Sequence, residues 1–126
     1  MILINTASRI REAIDNPVLT ARIDDSLSDL KTFFMHPEFH ALLETVGENG
    51  EFIDTINGRI INPGHCIETA WFILEESRYR GWDKEMLETA LTILDWSWEW
   101  AGIRISAVSS IFVIVGISPY RIIHRI

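Results

Sequence analysis

The sequence contains a single cysteine, Cys66, among 126 residues. One cysteine cannot form an intramolecular disulfide, which excludes a small secreted scaffold held by disulfides. The first fourteen residues are interrupted by Asn5, Arg9, Arg11 and Glu12, so they lack the unbroken apolar segment of a signal peptide. We therefore expect no export and a cytoplasmic location.

Basic residues and long apolar runs are also scarce. The chain has 11 Lys and Arg against 18 Asp and Glu, a formal net charge of -7. Proteins that bind phosphate backbones concentrate basic side chains, so we expect no nucleic-acid partner. The longest apolar run, residues 107–117, is well short of the roughly 20 residues that a membrane-spanning helix needs. We expect no membrane association.

Apolar residues spaced by three and four predict two helices in the first third of the chain. The first covers residues 2–14, and the second begins at Pro17, runs to about Met35 and ends before Pro37. Beyond Pro37 the apolar residues no longer follow the helical spacing. Apolar stretches on either side of residues 47–50, Gly-Glu-Asn-Gly, predict two short strands around a turn. We expect a small β-hairpin excursion near residues 42–61.

The segment Asn62-Pro63-Gly64-His65 predicts the start of a third helix, because Asn is a favourable N-cap and Pro is favoured at the first helical position. This helix is expected to reach about Tyr79 and to end at Gly81. Asp83 then caps a fourth helix that runs to about Trp100. The predicted fold class is all-α, built from helical hairpins with one small β excursion.

His65 and Glu68 are three residues apart and therefore share one face of the third helix. His65 lies in the first turn, where the positive end of the helix dipole disfavours the imidazolium, so a neutral ring is available to accept a proton. Glu68 could orient that ring or bind a substrate hydroxyl, and Trp71 and Phe72 offer a flat apolar surface for a sugar ring. The alternative is that His65 and Glu68 only make capping or surface polar contacts.

Two further clusters are candidates for other roles. His36 and His40 have a spacing that suits a metal on a helix, but Pro37 lies between them and no third ligand is evident, so we predict no metal site. Trp96, Trp98 and Trp100 are expected to pack the fourth helix rather than to form a binding platform.

The segment 58–74, GRIINPGHCIETAWFIL, resembles the NPGH-x-x-E-x-x-W-F segment of the N-acylglucosamine 2-epimerase family, also called renin-binding proteins. The flanking segments 36–59 and 81–100 resemble the family's preceding loop and following helix. The resemblance implies part of an (α/α)6 toroid of six helical hairpins. It also implies that His65 is the first of two catalytic histidines, and that Glu68 and Asn62 contribute to substrate binding. The family's second histidine and an upstream arginine have no counterpart in this sequence.

The function that the resemblance implies is the interconversion of N-acetylglucosamine and N-acetylmannosamine by proton transfer at carbon 2. The partner would be a small amino sugar. No cofactor is implied, although ATP is an allosteric effector of some members, and the full-length members form homodimers. Two alternatives remain open: another sugar isomerase of the family, acting on cellobiose, mannose or sulfoquinovose, or a truncated fragment without catalytic activity.

The last 26 residues differ in composition from the rest of the chain. After Glu99 there is no Asp, Glu or Lys, while Ile occurs eight times. This break divides the chain into residues 1–100, the partial epimerase-like domain, and an apolar tail, residues 101–126. Our hypothesis is a change of reading frame, since codons can be chosen for the tail whose other frame encodes WDKDIGGIIYFRD, which resembles the family's continuation.

Overall fold

The computed structural model describes residues 2–14, 16–102 and 113–114. Four α-helices account for most of them: α1 (Ile2–Ala13), α2 (Pro17–Asp29), α3 (Pro63–Tyr79) and α4 (Lys84–Gly102). A short π-helical segment, Leu30–Phe34, continues α2. The remaining elements are short: β1 (Met35–His36), a 3-10 turn (Pro37–Phe39), β2 (Ala41–Leu42), a second 3-10 turn (Asn57–Arg59), β3 (Ile60–Ile61) and β4 (Val113–Ile114).

The helices pack as two hairpins, α1 against α2 and α3 against α4, and α1 also contacts α3. Their shared core is aliphatic and contains the fully buried residues Ile4, Ile23, Leu43, Ile61, Ile73 and Ile93. The predicted all-α class with a small β excursion is confirmed. A helical hairpin is also the repeating unit of the toroid that the sequence resemblance implies.

The β excursion differs in detail from the predicted pairing. The turn at Gly47–Gly50 is present, with the Gly47 amide donating to the Glu51 carbonyl at 2.8 Å, but the residues beside it form no strands. Instead β1 pairs antiparallel with β2, Met35 opposite Leu42 and His36 opposite Ala41. The chain reverses here because the 3-10 turn begins at Pro37 and His40 adopts the left-handed conformation, φ 49°. A second sheet pairs β3 with β4.

Both predicted boundaries of α3 are confirmed. Asn62 is the N-cap, Pro63 occupies the first turn, and Tyr79 is the last helical residue. Gly81 follows with φ 78°, a conformation that glycine adopts without steric cost. Asp83 then caps α4, its carboxylate accepting a hydrogen bond from the Met86 amide at 2.9 Å. These caps fix the two ends of α3, where the charged clusters of the molecule lie.

The predicted packing of the tryptophans is correct for two of the three. Trp96 stacks on His40, and Trp100 packs against the core while its Nε1 donates to the His40 carbonyl at 2.8 Å. Trp98 is 72% exposed, because its position on α4 faces away from both the core and the β1–β2 hairpin. Trp98 therefore does not take part in the packing expected of it.

In the described residues, no helix has the length and apolar character needed to cross a membrane. The apolar run at residues 107–117 lies outside the described residues except for Val113 and Ile114. The proposed change of reading frame also concerns residues that are mostly outside the described part, and it stays a hypothesis.

Candidate active site

The first turn of α3 holds His65 at the edge of a cleft between the two helical hairpins. Its cap is supplied by Asn62, whose side-chain oxygen accepts from the His65 amide at 3.3 Å and whose carbonyl accepts from the Cys66 amide at 3.0 Å. One turn later, the Thr69 hydroxyl donates to the His65 carbonyl at 2.8 Å. The backbone of His65 is thus fixed on both sides, while its side chain is 51% exposed.

The cleft beside His65 has a volume of about 460 Å³. This volume lies within the usual range for sites that bind small molecules. Its floor is apolar, and polar groups approach it from opposite walls. The lining residues are Leu3, Ser26, Asp29, Leu30, Phe34, Leu42, Leu43, Glu44, His65, Cys66 and Thr69.

Glu44, which follows β2, makes the main side-chain contact of His65. Its Oε1 is hydrogen-bonded to the Nδ1 atom of the ring, and its side chain is 33% exposed. Sequence reasoning missed this residue, because Glu44 lies 21 positions before His65 and no helical or strand period relates them. Across the cleft, Asp29 and Ser26 come from the last turn of α2.

The other residues predicted to share the site are placed differently. Glu68 is exposed on α3, three residues beyond His65, and is not part of the cleft lining. Trp71 is exposed on another side of α3, and Phe72 faces a separate cavity near the C-terminal end of the helix. The flat aromatic surface expected beside His65 is therefore absent from the cleft as described. Trp71 lies on another side of α3, and Phe72 is about two turns farther along the helix, where it lines the other cavity.

Asn62 was predicted to contribute to substrate binding, and that role stays a prediction. The structure shows a helix cap: the residue is buried, and its side-chain oxygen is directed back to the His65 amide. Gly64 favours this arrangement, because a Cβ added there would lie 3.2 Å from that same oxygen and the cap would have to shift by a few tenths of an ångström. The cap and the glycine together set the position of His65.

Cys66 is adjacent to His65 but is chemically unreactive. Its side chain is buried, and its Sγ lies 3.6 Å from the Leu42 carbonyl oxygen. Burial, reinforced by the nearby Glu44 carboxylate, raises the pKa of the Cys66 thiol to about 12. Because the thiolate is the nucleophilic form, Cys66 is not a nucleophile near neutral pH.

The described residues contain no group of three or more potential metal ligands. His36 and His40, the pair with suitable spacing, engage different partners. His36 Nδ1 lies 2.8 Å from Glu38, and His40 Nδ1 lies 3.1 Å from Glu99. The two rings therefore do not converge on a common point.

The opposite end of α3 carries a buried network centred on Glu76. Arg11 of α1 donates through Nη1 and Nη2 to the two carboxylate oxygens, at 2.9 and 2.7 Å. Ser8 and Arg80 donate to the same carboxylate at 2.9 and 2.6 Å, and Arg80 also pairs with Asp24 of α2. Sequence reasoning missed this network, because Arg11 and Glu76 are 65 positions apart.

Burial alone would raise the pKa of Glu76, but the hydrogen bonds from Arg11, Arg80 and Ser8 outweigh it and lower that pKa. The carboxylate is therefore charged and fully hydrogen-bonded. A cavity of about 160 Å³ adjoins the network, and its charged side chains are already paired with one another: Arg9 with Glu12, Arg11 with Glu76, and Arg78 with Glu75. The geometry favours a structural role at this end of α3.

Comparison with known proteins agrees with the sequence resemblance. The model of the family "N-acylglucosamine 2-epimerase (GlcNAc 2-epimerase)" matches residues 11–108. The bovine (Bos taurus) N-acylglucosamine 2-epimerase is 32% identical over 82 residues, which are 64% of this chain and 19% of the bovine protein. The chain thus spans about a fifth of the length of this relative. The match covers α2, α3, α4 and every residue that lines the His65 cleft except Leu3, and the chain belongs to the N-acylglucosamine 2-epimerase family.

Proposed function

We propose that this chain carries part of the active site of a sugar 2-epimerase, and that His65 transfers a proton at carbon 2 of the substrate. Family membership supports the reaction class. The observation that carries the proposal is the position of His65: its backbone is capped and fixed, and its half-exposed ring lines a cleft large enough for a monosaccharide.

The reaction begins with the open-chain sugar, whose carbonyl acidifies the hydrogen on carbon 2. His65 accepts this proton, and the electron pair of the broken C–H bond forms an enolate with the neighbouring carbonyl. A proton delivered to the opposite face of carbon 2, by solvent or by the second histidine that the family resemblance implies, gives the epimer, and His65 then releases the proton it removed to solvent. The positive end of the α3 dipole favours the developing negative charge, and the apolar cleft floor strengthens that interaction.

We propose N-acetylglucosamine and N-acetylmannosamine as the substrate pair. The name of the bovine relative supports this choice over the cellobiose, mannose and sulfoquinovose isomerases. Asp29 and Ser26 face His65 across the cleft and are suited to bind sugar hydroxyls. Glu68 would be drawn into substrate binding by a sugar that extends from the cleft along α3.

The test is epimer formation, followed by chromatography with N-acetylmannosamine, N-acetylglucosamine, mannose and cellobiose offered separately. The chain as printed and the product of the alternative reading frame are assayed in parallel, each with a His65→Ala control. We expect interconversion of the two N-acetyl sugars that His65→Ala abolishes. Interconversion of mannose or cellobiose alone would move the assignment to another substrate. Absence of any epimer from both proteins would contradict the proposal.

A chain without catalytic activity is the second candidate, and exposed apolar side chains favour it. Ile2, Leu3, Ile10, Ile14 and Val18 are exposed along α1 and the start of α2, an arrangement that promotes association. Sedimentation velocity distinguishes the two candidates, because a fragment of this kind would form large concentration-dependent species and turn over none of the sugars.

A further inference from the structure

Three histidines in the described residues pair with a carboxylate through Nδ1: His36 with Glu38, His40 with Glu99, and His65 with Glu44. The surroundings of the three rings differ. His36 is buried and its Nε2 also contacts the Phe33 carbonyl at 3.2 Å, while His40 stacks on Trp96. The His65 ring alone lines the large cleft, and in the described part of the chain its Nε2 has no hydrogen-bond partner.

From this arrangement we infer that Glu44 is a positioning residue, which holds His65 through Nδ1 so that Nε2 is the atom that exchanges a proton with the sugar. The inference rests on the proposed function for the role of Nε2. The hydrogen bond made by one ring nitrogen selects the tautomer of a neutral imidazole. A carboxylate accepts hydrogen bonds only, so the neutral ring carries its hydrogen on Nδ1 and presents the Nε2 lone pair.

The anchoring of the two backbones that carry the pair supports a role beyond surface charge. Glu44 follows β2, and its neighbour Leu43 is fully buried, so the backbone that carries the carboxylate is anchored in the core. The backbone of His65 is anchored by the Asn62 cap. Two fixed backbones leave the ring little freedom once Glu44 is engaged, whereas without Glu44 nothing in the described residues selects one rotamer or one tautomer.

The test reads the tautomer directly, by long-range ¹H–¹⁵N correlation on the full chain labelled at histidine. Spectra are recorded at a pH of about 9, well above the usual range for imidazole titration. A His65→Asn variant assigns the His65 signals. In the unsubstituted chain we expect Nδ1 to carry the hydrogen and Nε2 to show the shift of an unprotonated nitrogen. A His65 ring protonated on Nε2 would overturn the inference without any variant being made.

Two substitutions of Glu44 sharpen the result. Glu44→Leu removes the acceptor and should move His65 toward a mixture of tautomers, whereas Glu44→Gln keeps an acceptor oxygen and should retain most of the original tautomer. The matched control is Glu38→Leu, which should change the His36 signals and leave those of His65 in place. An unchanged His65 spectrum in a folded Glu44→Leu chain would overturn the inference.

Kinetics separate a positioning role from a general structural one. In whichever form of the protein is active, Glu44→Leu should lower kcat about tenfold to a hundredfold, the loss usual for partners that orient a functional histidine, with a smaller change in KM. Glu44→Gln should recover part of kcat. If His65 has the expected tautomer but no form of the protein has epimerase activity, the proposed function is refuted, whereas the contact between Glu44 and His65 is still supported. Epimerase activity in a protein whose His65 tautomer does not change in Glu44→Leu would refute the role of Glu44 but not the proposed function.

Discussion

The two ends of α3 both pair a carboxylate with a basic side chain, yet they differ in burial. At the C-terminal end, the Arg11 and Glu76 side chains are 6% and 0% exposed, and Glu76 accepts four hydrogen bonds. At the N-terminal end, the His65–Glu44 pair is partly exposed and faces a cleft. The buried network around Glu76 stabilises the fold, whereas the partly exposed His65–Glu44 pair leaves the His65 Nε2 atom available for chemistry.

The largest loss of stability is expected from substitution of Glu76. Replacing it by Ala leaves the buried Arg11 guanidinium without its carboxylate, which should lower the free energy of unfolding by about 3–5 kcal/mol. Urea denaturation followed by circular dichroism measures this. The matched control is Glu75→Ala one position earlier, because its exposed pair with Arg78 should contribute at most about 1 kcal/mol. Equal losses of unfolding free energy in Glu76→Ala and Glu75→Ala would contradict the distinction between the buried and the exposed pair.

Low pH should reduce the stability that the Glu76 network at the C-terminal end of α3 provides. The pKa of Glu76 is lower in the folded protein than its ordinary value of 4.5, so folding favours the charged carboxylate. Its contribution is complete above pH 4.5 and is lost as the pH falls below 4.5 through the folded value. Urea midpoints measured between pH 7 and pH 3 should decline in this acid window. The urea midpoint should fall less with pH in Glu76→Gln. The same pH dependence in both proteins would exclude Glu76 as a cause of the acid sensitivity.

A smaller effect is expected at the cap of α3. Asn62→Ala removes the acceptor for the His65 amide and should cost about 1 kcal/mol of unfolding free energy. Asn62→Ser retains a capping oxygen and should recover most of the loss, while Asn57→Ala, at an exposed position, is the control. If Asn62→Ser is stable but no longer binds sugar, the predicted contact of Asn62 with substrate gains support.

The smallest effect on stability is expected at the cleft itself. His65→Ala and Glu44→Leu each remove a partly exposed side chain, so each should change the free energy of unfolding by no more than about 0.5 kcal/mol. Thermal denaturation of the two variants beside the unsubstituted chain checks this. A loss as large as that of Glu76→Ala would make the His65–Glu44 pair a structural element, and the contrast between the two ends of α3 would disappear.

Local sequence patterns predicted the helices and their ends, because the signals are contained within a few residues. Asn62, Pro63, Gly81 and Asp83 each act on the backbone within one turn, so α3 and the start of α4 were located correctly. The β pairing was predicted at the Gly47–Gly50 turn, but the pairing found depends on Pro37 and on the left-handed His40. A non-glycine residue is uncommon in that conformation, although histidine adopts it more often than most, so a sequence pattern does not identify it.

The site was predictable only in part, for a related reason. His65 is recognisable within its own motif, but its partner Glu44 comes from another element, and so does Arg11 in the network at the other end. Such contacts depend on how the hairpins pack. For Glu68 the local prediction was correct, since it lies on α3 three residues after His65. Its absence from the cleft lining was not predictable from that spacing.

The most direct test of the account is deuterium incorporation at carbon 2 of N-acetylmannosamine in heavy water, followed by proton NMR. It detects proton transfer even where the epimer is not released, and it compares His65→Ala with the exposed control Glu48→Ala. We predict exchange by the chain or by its alternative-frame product, unchanged in Glu48→Ala and lost in His65→Ala. Exchange that persists in His65→Ala, or none from either protein, would contradict the assignment of proton transfer to His65.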